Sequence, residues 1–323
     1  MKRFNLLLYF CFILSPLIAQ DHAVQGLYRQ VPLIINPGRT GLSDGMRIST
    51  VYRRQLSGFE GGPNLQFIGL EKGFSTNRIG LAFNLAQDNN GPLKTSLAEG
   101  IFAYHISFDN QSIENSKNYV SIGIAPAFRH YRLSMEDING DLSDPVLSLI
   151  EGSSAEFNAS FGFFLFYEGL ELGISGFNLV LGEQKILSGL RSQNIFPRGA
   201  IFFGYSYPVD ESFSIHPYLN FTAQFSGEFA TDLNLDAKIT INEQNSLDIG
   251  GGVRYAYRWK TGFPEVMMLF AGYSFGPFSF AYQFNRPIST GNGIYPVDHI
   301  FSLHFSKFGG KNKSSSKPDS WFK

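Results

Sequence analysis

Apolar and polar residues alternate with a period of two along most of the chain, which sends successive side chains to opposite faces of a strand. Residues 229–242 show it best. Phe229, Thr231, Leu233, Leu235, Ala237, Ile239 and Ile241 fall on one face; Asp232, Asn234, Asp236, Lys238, Thr240 and Asn242 fall on the other. A helix would mix the two sets around its circumference. Over 212–226, Phe213, Ile215, Leu219, Phe221 and Phe225 oppose Ser214, His216, Asn220, Thr222 and Gln224. Further on, Phe278, Phe280, Tyr282 and Phe284 oppose Ser279, Gln283 and Asn285, and Phe301, Leu303 and Phe305 oppose Ser302 and His304.

The alternation predicts about fourteen strands, an even number as bacterial barrels require. Their expected spans are 46–56, 64–74, 77–87, 94–108, 118–131, 155–167, 169–178, 197–208, 212–226, 228–242, 245–258, 264–275, 277–286 and 297–306. The first two are the least regular, because Arg53, Arg54, Glu71 and Lys72 interrupt them.

The connections support a barrel independently. Ser75-Thr76, Glu168-Gly169, Val209–Glu211, Glu243-Gln244 and Gly276-Pro277 are short, whereas Ser57–Pro63, Asp88–Leu93, Arg132–Ser154, Leu179–Phe196 and Pro287–Pro296 are long. The two kinds largely alternate, as short periplasmic turns and longer extracellular loops do. Asp109–Lys117 is long for a turn, and Gly227 is short for a loop. A sheet in hydrocarbon must close, because an open edge leaves backbone groups without partners. The expected fold is therefore all-β: a transmembrane antiparallel barrel of the outer-membrane type, spanning 46–308. Tyr119, Tyr167, Tyr207, Tyr257 and Tyr282, near strand ends, are expected to form interfacial girdles.

Composition sharpens this picture. The chain has 33 Phe, 15 Tyr and 34 Gly, with only 16% charged residues and a net charge of -1. That balance leaves no polybasic footprint for nucleic acid. No stretch after the first residues is apolar for the ~20 residues that a membrane helix needs. Residues 1–19 read as a secretory signal: Lys2 and Arg3 are followed by the apolar run Phe4–Ile18, and Ala19 offers a small residue before a cut at Gln20. The sole cysteine, Cys11, lies in that signal, so no disulfide or thiolate chemistry is expected in the mature chain. Residues 309–323 have the composition of a flexible tail.

Residues that could carry chemistry are sparse. There is no phosphate loop and no His or Cys pair at metal spacing, so no catalytic, cofactor or metal site is expected. Gly250-Gly251-Gly252 opens no helix. A hydrolytic site would need Ser, His and a polar orienter close together; His304 with Ser302 on the lumen side is the nearest candidate, and a weak one. Asp137-Ile138-Asn139-Gly140-Asp141 has oxygen ligands near a glycine, but not the full spacing of a calcium loop. Asp232, Asp236, Lys238, Asp248, Arg254, Arg258, Arg129, Glu156 and Glu171 are expected to point inward. They would line either a wet path or a plug of mutually paired charges. Fourteen strands enclose more room than side chains fill, and the segment 20–45 is a candidate lumen-facing occupant.

Several motifs, in order, carry a resemblance. Gln20-Asp21 and Tyr28 precede Asn36-Pro37-Gly38-Arg39-Thr40-Gly41; then come Tyr52-Arg53-Arg54-Gln55, Gly80-Leu81-Ala82-Phe83, Asp232-Leu233-Asn234-Leu235 and Asp298-His299-Ile300-Phe301. On these the chain resembles the PorP/SprF family of outer-membrane proteins of type IX secretion and gliding motility in Bacteroidetes. Gly38 stands where the family usually has Ala, and the tail is longer than usual. The resemblance makes Asn36, Pro37, Gly41, Tyr52, Arg53 and Gln55 the motif residues. It implies a bacterial outer-membrane location and a non-enzymatic role in holding or secreting a cell-surface protein such as an adhesin. The implied partners are outer-membrane lipid, that secreted protein and periplasmic components of the machinery. A porin-like channel for small or apolar solutes is the alternative.

Overall fold

The structure is a computed structural model that describes residues 27–42, 45–58, 61–74, 78–109, 111–113, 115–134, 152–184, 193–225, 227–257, 266–288 and 297–307. The signal at 1–19, the Gln20-Asp21 start, the acidic segment 137–141, Arg258 and the tail 309–323 lie outside the described residues.

Fourteen strands form one closed ring. They are β1 (Gly45–Ser57), β2 (Asn64–Phe74), β3 (Ile79–Asn90), β4 (Leu93–Ser107), β5 (Asn118–Leu133), β6 (Ser153–Tyr167), β7 (Leu170–Phe177), β8 (Arg198–Tyr205, prolonged by Tyr207–Pro208), β9 (Phe213–Gln224), β10 (Phe229–Asn242), β11 (Asn245–Tyr257), β12 (Val266–Phe275), β13 (Phe278–Pro287) and β14 (Val297–Lys307). Each pairs antiparallel with its neighbours in sequence, and β1 pairs with β14 to close the ring. The register runs without a break from Met46 opposite Lys307 to Arg54 opposite His299. Beyond the ring, Gly182–Gln184 and Gln193–Ile195 pair as a small hairpin in the β7–β8 connection.

Burial is inverted relative to a soluble protein. Leu233 and Leu235 on β10 are 43% and 56% exposed, whereas Asp232 and Asp236 beside them are 2% and 3% exposed. The same holds around the ring: Phe83, Ile122, Ile174, Phe280 and Phe301 are exposed, while Asn84, Ser121, Ser175, Gln283 and Ser302 are buried. An apolar outer surface and a polar interior make sense only if lipid surrounds the ring.

The two irregular first strands now have an explanation. Arg53 and Glu71 point inward, while Arg54 and Lys72 sit on the outer face near opposite ends of the ring. Tyr167, Tyr207 and Tyr282 lie on the outer face. Tyr119 does not: it is 1% exposed and stacks on Phe166 inside the ring, because the phase of β5 turns it inward beside outward Val120 and Ile122. The β3–β4 connection is also shorter than expected, since β3 continues to Asn90 and only Gly91-Pro92 intervene.

The long connections after β1, β5, β7 and β13 share one end of the ring, and the start of β1 and the end of β14 lie at the other. By the usual asymmetry of such barrels the first end faces outward and the second the periplasm. Asp109, in the long β4–β5 turn at the periplasmic end, gathers the Ser107 hydroxyl and the Gln111 and Lys117 amides. These bonds, led by Ser107, hold its carboxyl at about 2, below the ordinary aspartate value.

Candidate functional site

Residues Leu27–Leu42 cross the interior of the ring, and nearly all are buried. Local chemistry shapes this strap into short turns. Leu27 accepts hydrogen bonds from the Gln30 and Val31 amides. Pro32–Ile34 and Pro37–Arg39 are single 3-10 turns with proline at the first position, where its missing N–H costs nothing. The Asn36 side chain caps the second turn by accepting from the Gly38 amide at 2.9 Å. Gly41 leaves the turn at φ +74, a conformation that favours glycine.

The strap is fixed to strands around the ring. At its start, Arg29 donates to the Tyr218 hydroxyl at 2.7 Å and to Asn234 at 2.5 Å, and lies 3.3 Å from Asp236. Gln30 donates to Gln283 on β13 at 3.0 Å. Midway, Ser175 on β7 donates to the Ile35 carbonyl, and the Asn36 amide donates to the Phe163 carbonyl on β6 at 2.8 Å. Arg39 meets Glu171 at 3.2 Å, its guanidinium lying over the Phe164 and Phe202 rings. Glu171 also accepts from Ser206 and stands 3.5 Å from His216. Toward the exit, Glu71 on β2 accepts from the Gly41 amide at 2.6 Å.

Apolar burial adds to these polar ties. Leu27, Val31, Leu33 and Ile34 pack with Val51, Leu65, Phe67, Ala82, Ile101 and Ile300 of the wall. Leu42 joins Ile113, Tyr119, Phe164 and Phe166, and Tyr28 and Ile35 join Phe202 and Tyr218. Fully burying one such aliphatic side chain stabilises by ~1.5–3 kcal/mol, so these contacts rival the ion pairs in holding the strap.

The wall is cut to receive it. A Cβ on Gly80 of β3 would collide with the Thr40 carbonyl, one on Gly123 of β5 with Pro37, and one on Gly162 of β6 with the Asn36 side chain. On β7, a Cβ at Gly173 would stand 2.8 Å from the Asn36 amide nitrogen. Gly250 and Gly252 leave room for Asp236 and Asn234, which with Tyr218 hold Arg29.

Charges nearer the outer end of the lumen are paired with one another. Arg53 meets Asp298 at 2.9 Å, Arg129 meets Glu156 at 3.0 Å, and Arg254 forks onto Asp232 at 2.7 and 2.9 Å. His304 bonds Ser49 across the β1–β14 seam at 2.9 Å, so its Nδ1 is directed at Ser49, not at Ser302.

The six motif residues do not form one cluster. Asn36, Pro37 and Gly41 lie in the strap; Arg53 faces the lumen, Tyr52 faces lipid, and Gln55 donates its backbone N–H to the Pro63 carbonyl at the mouth of the first loop. Asn234 and Gly80, from the other quoted motifs, do meet the strap. Arg29, Gly123, Gly162, Ser175 and Tyr218 belong to the same assembly. Their only trace in the sequence is an inward phase on their strands or a place in the segment 20–45.

Comparisons with known proteins agree with this architecture. The CymD monoaromatic hydrocarbon channel superposes with a TM-score of 0.57 at 11% identity, over 90% of this chain and 95% of that one. A TodX monoaromatic hydrocarbon channel with the deltaS2S3 mutation gives 0.51 at 7% identity, over 85% and 93%. The TodX deltaS2 mutant gives 0.51 at 8%, over 86% and 94%. At such identities the likeness is one of fold. A comparison with curated protein sequences returns no match. The profile of the family described as type IX secretion system membrane protein PorP/SprF matches residues 17–305. The chain therefore belongs to the PorP/SprF family of type IX secretion system membrane proteins and is a fourteen-stranded barrel of the bacterial outer membrane.

Proposed function

We propose that this barrel serves type IX secretion as a sealed post rather than a pore: it holds, or supports the secretion of, a cell-surface protein such as an adhesin. Periplasmic components of the machinery are its other partners, and gliding motility is the behaviour such an adhesin would serve. In this reading residues 1–19 are the export signal, and 309–323 form a tail at the periplasmic end. Asn36, Pro37 and Gly41 keep the strap in place, and Tyr52, Arg53 and Gln55 shape the first strand.

The observation that carries the proposal is the strap itself. A segment tied by buried ion pairs and seated over glycines on β3, β5, β6 and β7 is built to stay. A barrel occupied in this way offers its surfaces to partners, and the family supplies the context of secretion. Deletion of the chain should abolish surface display of one exported protein while others persist; display of every exported protein at the normal level would overturn the proposal. The solute-channel reading requires the strap to leave. The wild-type protein in planar bilayers should be electrically silent, and a steady open conductance would favour the channel instead.

A further inference from the structure

The apolar girdle of the outer wall is uneven in height. On β10 every outward position from Phe229 to Ile241 is apolar except Thr231. Those positions run for ~40 Å along the strand at ~3.3 Å per residue. At a strand tilt of ~40° they cover ~30 Å across the membrane. On β6 the outward positions from Ala155 to Leu165 are likewise all apolar, with Tyr167 below them.

The wall beside the β1–β14 join is different. Outward on β2 stand Asn64, Gln66, Ile68, Leu70, Lys72 and Phe74. Only Ile68 and Leu70 separate Gln66 from Lys72, which is ~20 Å along the strand and ~15 Å across the membrane. Lys72 leans away from the girdle, its Nζ 4.6 Å from the Phe74 ring centroid on the periplasmic side. The upper limit continues onto the neighbouring strands, because Tyr52, Gln66, Gln87 and Ser96 stand in register on β1–β4. One step further out, Asn89 accepts from Gln87 at 3.3 Å and donates to Asn64 at 3.1 Å. Across the join, His299 and Lys307 bracket just Phe301, Leu303 and Phe305 on β14.

The same wall is also indented. A concavity of about 1080 Å³ spreads over β1–β4 and β11–β14, where the small Thr50 and Ala271 stand among the larger Ile68, Leu85, Tyr273 and Phe280. A bilayer of full height centred here would take Gln66 and Lys72 into hydrocarbon, where polar and charged groups are costly, and water cannot fill an apolar hollow in lipid. Both demands are met if the two leaflets draw together and their acyl chains tilt into the concavity, a deformation that costs only fractions of a kcal/mol per Å of mismatch.

We infer that the wall around the closing join thins the outer membrane: the partner of β1, β2 and β14 is a compressed bilayer whose chains tilt into the hollow, while β6 and β10 face lipid of full height. The surface is separate from the strap and does not depend on the secretion role.

The test uses the full chain with Cys11→Ser, which removes its sole cysteine, reconstituted in dioleoyl phosphatidylcholine vesicles. Single nitroxide labels are placed at Gln66→Cys and Lys72→Cys on β2, and at Leu233→Cys and Ile239→Cys, which are equally spaced on β10. Heat-shifted gel mobility checks that each variant is folded. Both β2 labels should be reached better by a water-soluble nickel chelate than by oxygen, and both β10 labels should show the reverse. Oxygen preference at all four labels would place Gln66 and Lys72 in hydrocarbon and overturn the inference. A label at Ile68→Cys shielded from both reagents would mean that protein covers this wall, and would overturn it too. In a second measurement, passing from dilauroyl to dierucoyl phosphatidylcholine should lower the urea midpoint of the wild type more than that of Gln66→Leu/Lys72→Leu, whose girdle is taller. An equal drop in both would also count against a thinned bilayer and overturn the inference.

Discussion

Arg39 and Glu171 lie 3.2 Å apart, with 3% and 0% of their side chains exposed, and one belongs to the strap while the other belongs to β7. A buried pair of this kind is worth little against an apolar replacement of both partners, yet removing one partner leaves an uncompensated charge. Arg39→Met should therefore cost about 3–5 kcal/mol. The double variant Arg39→Met/Glu171→Leu should recover much of the loss. Unfolding in detergent, followed by heat-modifiable mobility, measures both; equal stability of the single and double variants would contradict the coupling.

The glycines beneath the strap predict a different failure. Gly123→Val on β5 puts a branched side chain where the Pro37 backbone lies, without touching the outer face. The ring should still form, because its ladders are untouched. The strap should become sensitive to protease, and planar bilayers should show conductance that the wild type lacks. A folded Gly123→Val barrel with a protected strap would show that the fit is not needed.

The two faces of β10 can be compared directly. Leu235→Arg places a charge on the lipid side and should cost ~2–4 kcal/mol if it lies near mid-membrane. Asn234→Leu, on the lumen side, should cost less in the ring but should release Arg29 and Tyr28 of the strap. Urea titrations in lipid vesicles give the first quantity, and protease mapping of the strap gives the second.

Asp109 predicts a local dependence on pH. Its carboxyl is held at about 2, so the native turn favours the charged form relative to the unfolded chain. The contribution is present above the ordinary aspartate range and fades as pH falls toward 2. Amide exchange at Lys117 should stay protected at pH 4 and lose protection near pH 2. Asp109→Asn should lack that dependence. A pH-independent Lys117 amide in the wild type would remove the turn's role.

Much of the ring was legible because the lipid boundary imposes a strict period of two. The expected span 64–74 coincides with β2, and most other strand limits agree within two residues. Tyr119 escaped because its residue type suggested a girdle, whereas its phase placed it inside. Gly91-Pro92 escaped because polar Asp88–Asn90 resembled a loop, although the strand runs on through them. The strap's seat was hidden for another reason. Gly80, Gly123, Gly162 and Gly173 each answer to a residue between 40 and 137 positions away, and no local pattern marks them. The run at 250–252 is similar: its inward members exist for Asp236 and Asn234 on the neighbouring strand.

The join between β1 and β14 brings the first and last strands together, and the strap leads directly into β1. The ring shuts only when its last ribbon meets its first, so a leading segment that rests on the inner surface at that moment is enclosed by the closing wall. Arg29 and Arg39 then need no passage through a finished tube to reach Asp236 and Glu171. Closing that join thus wraps a container around its own contents.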